Sequence, residues 1–187
     1  MALDKAKKRR ALRWAVFALM ILLTALAQSV PLLPDLWGVR ALPLLPLVIC
    51  AAVQEREIPS VLFGALGGLL WDVTASPRGF HALYLTAAAF VCAMLMRYLL
   101  NRNLLTVALL SAAATALYLL GRWLFGTLAA GLDRPFYLLL RYDLPALGYT
   151  LLFLPLQYAI LHAAARRTAR KRVAVAEEGE HPLNQTA

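Results

Sequence analysis

Between Trp14 and Ala165 the chain reads as a succession of apolar runs separated by shorter polar or proline-bearing turns. The runs are Trp14–Val30, Ala41–Val53, Ile58–Trp71, Phe80–Met96, Leu104–Leu128 and Leu144–Ala165. Segments this apolar are at home in hydrocarbon. Lipid offers no partner for a backbone N–H or C=O, so each segment must satisfy its own backbone and become a helix. Composition agrees. The chain is 61% apolar and 16% charged, where a soluble domain carries about 45–50% apolar and 25% charged residues. The expectation is an all-α integral membrane protein with six transmembrane helices over residues 14–165. A basic tail, 1–13, precedes them, and a second tail, 166–187, is basic and then acidic.

The net charge of +9 raises nucleic acid as a partner, and its distribution argues against that. Six of the 19 Lys and Arg residues lie in Met1–Arg13 and five in Arg166–Arg172. Basic tails beside apolar spans set topology and touch anionic lipid heads. With six spans, the tails and the turns on their side hold 14 of the 19 cations. That places both termini in the cytoplasm. Arg97 and Arg102 are expected to snorkel toward that surface or bind lipid phosphate.

Two segments have more than one reading. The first run, with Ala25-Leu26-Ala27 before Gln28, also resembles a signal peptide with a small-residue cleavage site. A multispan chain needs only a first helix, so the retained span is the expectation. The second run carries Pro43 and Pro46, which predicts a kink or a broken helix.

The segment GALGGLLWDVTASPRG, Gly64–Gly79, stands out. Gly64, Gly68 and Asp72 recur at intervals of four, so they share one side of a helix, and Gly67 widens the strip. Glycines allow another backbone to approach closely. The strip turns Asp72 toward that neighbour and away from lipid. A carboxylate at the C-terminal end of its own helix is unfavourable without a donor. Arg122 or Arg78 could supply one, the latter across a turn tightened by Pro77 and Gly79. Three readings stay open for Asp72: a structural ion pair, a partner contact or polar cavity, or substrate and ion handling. Small residues in SAAATA, including Ala112 and Thr115, give the fifth span a face suited to helix docking.

Catalytic and metal signatures are sparse. Cys50 and Cys92 lie inside apolar runs and read as core residues. His81, His162 and His181 are far apart, and no H-E-x-x-H, C-x-x-C, Walker A or G-x-S-x-G occurs. Asp72 and His81 are the only near pair for an intramembrane enzyme. A small-molecule-binding component would need polar groups converging on a cavity. Gln28, Asp72, Thr86, Thr115, Tyr118, Arg122 and Gln157 are the candidates. No metal, cofactor or catalytic residue is expected.

GALGGLLWDVTASPRGFHALYLTAAAFVCAMLMR resembles the signature region of the bacterial rod shape-determining MreD family. The pattern is a glycine-bearing helix ending G-L-x-x-D, then a short linker, a glycine and a hydrophobic helix. Gly68, Leu69, Asp72 and Gly79 match it, and Arg40 and Pro43 resemble the opening of that family's second span. The resemblance implies a non-enzymatic subunit of the cell-elongation machinery in the inner membrane. It implies an MreC-like single-span partner, with an MreB-like filament, a RodA-type glycosyltransferase and its transpeptidase linked directly or indirectly. The family is also similar, more distantly, to the substrate-binding components of energy-coupling-factor transporters. That similarity supplies the alternative of a small-molecule-binding or transport component.

Overall fold

The computed structural model describes residues 2–30, 38–74, 80–100, 103–131 and 134–166. The expected outer turn 31–37, the turn with Pro77, Arg78 and Gly79, Arg102 and the tail 167–187 lie outside the described residues. Among the described residues every regular element is a helix.

Helix α1, Ala2–Ser29, runs from within the expected tail through the first apolar run. Helix α2, Leu44–Gln54, is short. Helices α3, Glu57–Thr74, and α4, His81–Tyr98, form the closest pair in the bundle. Helix α5, Leu104–Arg122, continues through a π-helical stretch, Trp123–Leu128. The last rod begins at Pro135, where the sequence predicts a loop up to Leu144. Proline is favoured in the first turn of a helix because its missing N–H is not needed there. The rod passes through α6, Pro135–Leu138, a π-helical stretch, Leu139–Asp143, and α7, Leu144–Leu152, and helical residues continue over 154–166.

Four helices are long and apolar enough to cross a membrane: Arg10–Ser29, His81–Tyr98, Leu104–Leu128 and Pro135–Arg166. Helix α2 is too short to cross alone, at 11 residues. Its length is about 16 Å against a hydrocarbon core of about 30 Å. The two prolines explain this. Pro43 and Pro46 each lack an N–H, so the chain enters the bundle non-helically and coils only from Leu44.

All residues of α2 from Leu44 to Val53 are buried. Helices α1, α3, α4 and α5 surround it and form one core. Non-helical backbone at membrane depth persists only where protein satisfies its polar groups. Three side chains do so here. The Leu42 N–H donates to Thr150 Oγ1 at 2.9 Å, and the Leu44 N–H donates to Gln28 Oε1 at 3.2 Å. Gln157 Nε2 donates to the Pro43 carbonyl at 2.9 Å. Gln28 and Gln157, candidates for a cavity lining, thus support the backbone of the broken second run.

The rim where α1 begins, the near rim, carries two ion pairs. Arg13 meets Glu55 at 2.6 Å, tying α1 to the turn after α2, and Arg97 pairs with Glu57 across the ends of α4 and α3. Arg97 therefore has a protein partner, where lipid phosphate or snorkelling was expected. Cys50 and Cys92 are free thiols in the core.

Candidate functional site

At the opposite, far rim, α3 ends and α4 begins. The two helices touch through the glycine strip. A methyl group at Gly68 would stand 2.3 Å from the Ala82 Cα, and one at Gly64 would stand 2.7 Å from the Leu85 carbonyl oxygen. Only hydrogen fits at either position. Gly67 looks elsewhere: a methyl there would meet Val48 of α2 at 2.7 Å. The strip is therefore filled by helices of this chain. Thr115 is likewise buried, with its hydroxyl donating to the Ser111 carbonyl, while Ala112 is half-buried.

The close approach places Asp72 over the first turn of α4. One carboxylate oxygen accepts from the His81 N–H at 3.1 Å and from His81 Nδ1 at 2.7 Å. The other accepts from the Ala82 N–H at 2.9 Å. First-turn N–H groups have no partner within their own helix, and they carry the positive end of its dipole. Asp72 thus stands at the unfavourable end of α3 and the favourable end of α4. It acts as a capping carboxylate supplied by the neighbouring helix, since Phe80, which precedes α4, offers no side-chain cap.

His81 extends the network. Its Nε2 lies 2.9 Å from the Tyr118 hydroxyl on α5. A carboxylate only accepts, so Nδ1 carries a proton directed at Asp72, and Nε2 shares a hydrogen bond with the Tyr118 hydroxyl. The imidazole stacks on Trp71 with centroids 4.4 Å apart. Tyr118 also packs against Trp71 and Tyr84, and the Tyr84 hydroxyl donates to the Ala114 carbonyl. One cluster thereby joins the ends of α3 and α4 to the middle of α5.

The expected Asp72–Arg122 pair does not form. Arg122 pairs with Asp143 of the last rod, farther along α5 than Tyr118. The physical reason is length. Arg122 lies about 6 Å beyond Tyr118 along the helix, above the level at which α3 ends. The sequence reading left Asp143 in the loop before the last run and weighed the Asp72–His81 pair only for an intramembrane enzyme. Both have signals in retrospect. Asp143 sits one residue before an apolar run, and His81 follows the linker of the Asp72 motif directly.

Among the described residues no group of three or more His, Cys, Asp or Glu side chains is arranged to hold a metal ion. The carboxylate–imidazole–phenol chain has its hydrogen bonds satisfied within the protein. Its evident chemistry is to fix the ends of α3 and α4 against α5.

These features define a multi-helix membrane protein built around a buried broken helix, with a carboxylate-capped junction at its far rim. Its family is shown by comparison: the model for rod shape-determining protein MreD matches residues 8–129. The chain belongs to the MreD family, and its role is in rod-shape determination. The matched range holds the near-rim ion pairs, the glycine strip, Asp72, His81 and Tyr118. No curated protein and no solved structure matches the chain.

Proposed function

We propose that this chain is a non-enzymatic scaffold subunit of the cell-elongation complex. It crosses the cytoplasmic membrane six times with both termini in the cytoplasm and supports lateral peptidoglycan synthesis. Its direct partner is an MreC-like single-span protein. An MreB-like filament, a RodA-type glycosyltransferase and its transpeptidase are linked directly or through that partner. Basic segments at the termini contact anionic phospholipids.

Family membership over residues 8–129 carries this reading. The internal satisfaction of Asp72 supports it, because a carboxylate spent on capping α4 is not free for substrate. The glycine strip is filled, so a partner helix needs another face. Helix α5 offers one. Leu105, Leu109, Leu117 and Leu120 are exposed along it, beside half-buried Ala112.

The test is detergent co-purification with the single-span partner, followed by site-specific crosslinking from Leu109 and Leu117. Crosslinks to the partner's span are expected. Intact co-purification with crosslinks arising only from other helices sinks the α5 assignment. Loss of co-purification altogether sinks the scaffold reading.

The transport alternative has one observation in its favour, the broken helix α2, since discontinuous helices build substrate sites in transporters. Here Thr150, Gln28 and Gln157 already occupy the Leu42 and Leu44 N–H groups and the Pro43 carbonyl.

A further inference from the structure

The helices reach unequal heights at the far rim. Helix α4 starts at His81, which touches Tyr118. Beyond Tyr118, α5 and its π-helical extension rise a further ~15 Å to Leu128. The last rod rises similarly from Asp143 back to Pro135. Together they make a hairpin that extends past the level of the α3–α4 junction. Arg122 pairs with Asp143 at its base, and Trp123 Nε1 donates to the Pro135 carbonyl at 2.8 Å. Among the described residues, the π-helical extension and α6 pack chiefly against the hairpin's own segments.

The hairpin is apolar on nearly every outward side. Phe125 is 77% exposed, Phe136 68%, Leu140 64% and Tyr137 59%, and Leu124, Leu128 and Tyr142 are exposed with them. Over residues 122–131 only Trp123 and Thr127 are shielded, and Trp123 meets the other arm at Pro135 and Phe136. A protein partner covers one face. Apolar side chains all round call for an apolar medium, because water would leave the whole surface unfavourably hydrated. Aromatic rings and arginines are the residues of the lipid interface. Arg134 and Arg141, both exposed, stand among these rings.

We propose that the bilayer meets this protein at two heights on the far rim. It lies low along the α3–α4 junction and about 10–15 Å higher around the hairpin. The occupant of the hairpin surface is the acyl–headgroup boundary of the lipid, with Arg134 and Arg141 at phosphate level. Helices α3 and α4 have 18 residues each, about 27 Å against about 37 Å for α5 with its extension, so lipid beside α3 and α4 thins slightly to match. On the hairpin side it must thicken.

The test places an environment-sensitive bimane label on Phe125→Cys, Tyr137→Cys and Phe80→Cys, each in lipid nanodiscs of phosphatidylglycerol and phosphatidylethanolamine. All three native side chains are exposed, and the native thiols are buried, so unsubstituted protein is the labelling blank. Brominated lipids should quench all three labels. Aqueous iodide should quench each at least about threefold less than free bimane–cysteine, as expected for interface residues. Shortening the acyl chains should expose the Phe125 and Tyr137 positions to iodide before the Phe80 position. Full iodide quenching at Phe125 and Tyr137 overturns the proposal by placing the hairpin in water. Shielding there from both quenchers overturns it in favour of a protein cover. Exposure of the Phe80 position first reverses the inferred step and also overturns it.

Discussion

Asp72 and His81 belong to different helices, and Asp72 accepts twice from His81, once from its backbone N–H and once from its ring Nδ1. The second carboxylate oxygen takes the next N–H, of Ala82. An acidic residue that looks misplaced on α3 is thus well placed for α4. Its neighbours Gly64 and Gly68 bring the two backbones close enough for the bonds to form. Motif spacing, close packing and helix capping are one arrangement.

Removing the carboxylate should loosen that junction. Asp72→Ala is expected to lower stability by about 1–2 kcal/mol, the usual range for a lost helix cap. Asp72→Asn, which keeps one acceptor, should lose less. Thermal unfolding in detergent reads both. Equal stability of Asp72→Ala and the parent would remove the capping assignment.

Glycine substitutions should sort by what a methyl would strike. Gly68→Ala and Gly64→Ala drive into α4 backbone atoms and should each lose about 1–3 kcal/mol, the range for overpacking. Gly67→Ala meets a valine side chain and should fall between. Gly121→Ala and Gly148→Ala have nothing within 4 Å and should be near neutral. Expression yield and unfolding temperature across the five variants check the order.

The cation Arg122 should couple to Asp143 and not to Asp72. A double-mutant cycle between Arg122→Ala and Asp143→Ala is expected to show a coupling below about 1 kcal/mol, since the arginine is half-exposed. Asp143→Ala paired with a retained Arg122 should be milder than the converse, because Asp143 is the buried partner. The Asp72–Arg122 cycle should be additive. Coupling in that second cycle and none in the first would restore the pairing expected from sequence.

Side chains that serve the broken helix should matter although they touch no motif. Thr150→Val leaves the Leu42 N–H without its acceptor, and Gln157→Leu takes the side-chain donor from the Pro43 carbonyl, which keeps the Leu47 N–H at 3.3 Å. The first should lower stability by about 1–3 kcal/mol, the range for an orphaned buried polar group, and the second by about 1 kcal/mol, the net worth of one hydrogen bond. Hydrogen exchange over residues 42–47 should rise in both variants. Unchanged exchange there would show that these bonds do not hold the segment.

The sequence made the helices legible because lipid leaves a long apolar run little else to become. It also marked the α2 interruption, since proline at 43 and 46 cannot donate. The glycine–aspartate alignment was readable as one helix side by simple periodicity. Which donor Asp72 takes was not. That depends on the relative heights of helix ends, and intervals of four say nothing about how far α5 rises past α4. The start of the last rod at Pro135 was missed because GLDRPFYLLLRYD, with Phe136, Tyr137 and Tyr142 suited to an interface, reads as a loop, while its proline is a helix opener. Glu55 and Glu57 lie between the second and third apolar runs, but their arginines lie 42 and 40 positions away in the sequence. Such pairs follow from the assembled bundle and leave no local trace.

The hydrogen bonds at Leu42 and Pro43 join positions 108 and 114 residues apart. During synthesis, the second apolar run leaves the ribosome long before Thr150 and Gln157 exist. Until they arrive its backbone lacks these partners, and the hydrocarbon of the bilayer offers none. The innermost helix is therefore the last to settle. A nascent chain stalled before residue 150 should remain a target for membrane quality-control proteases.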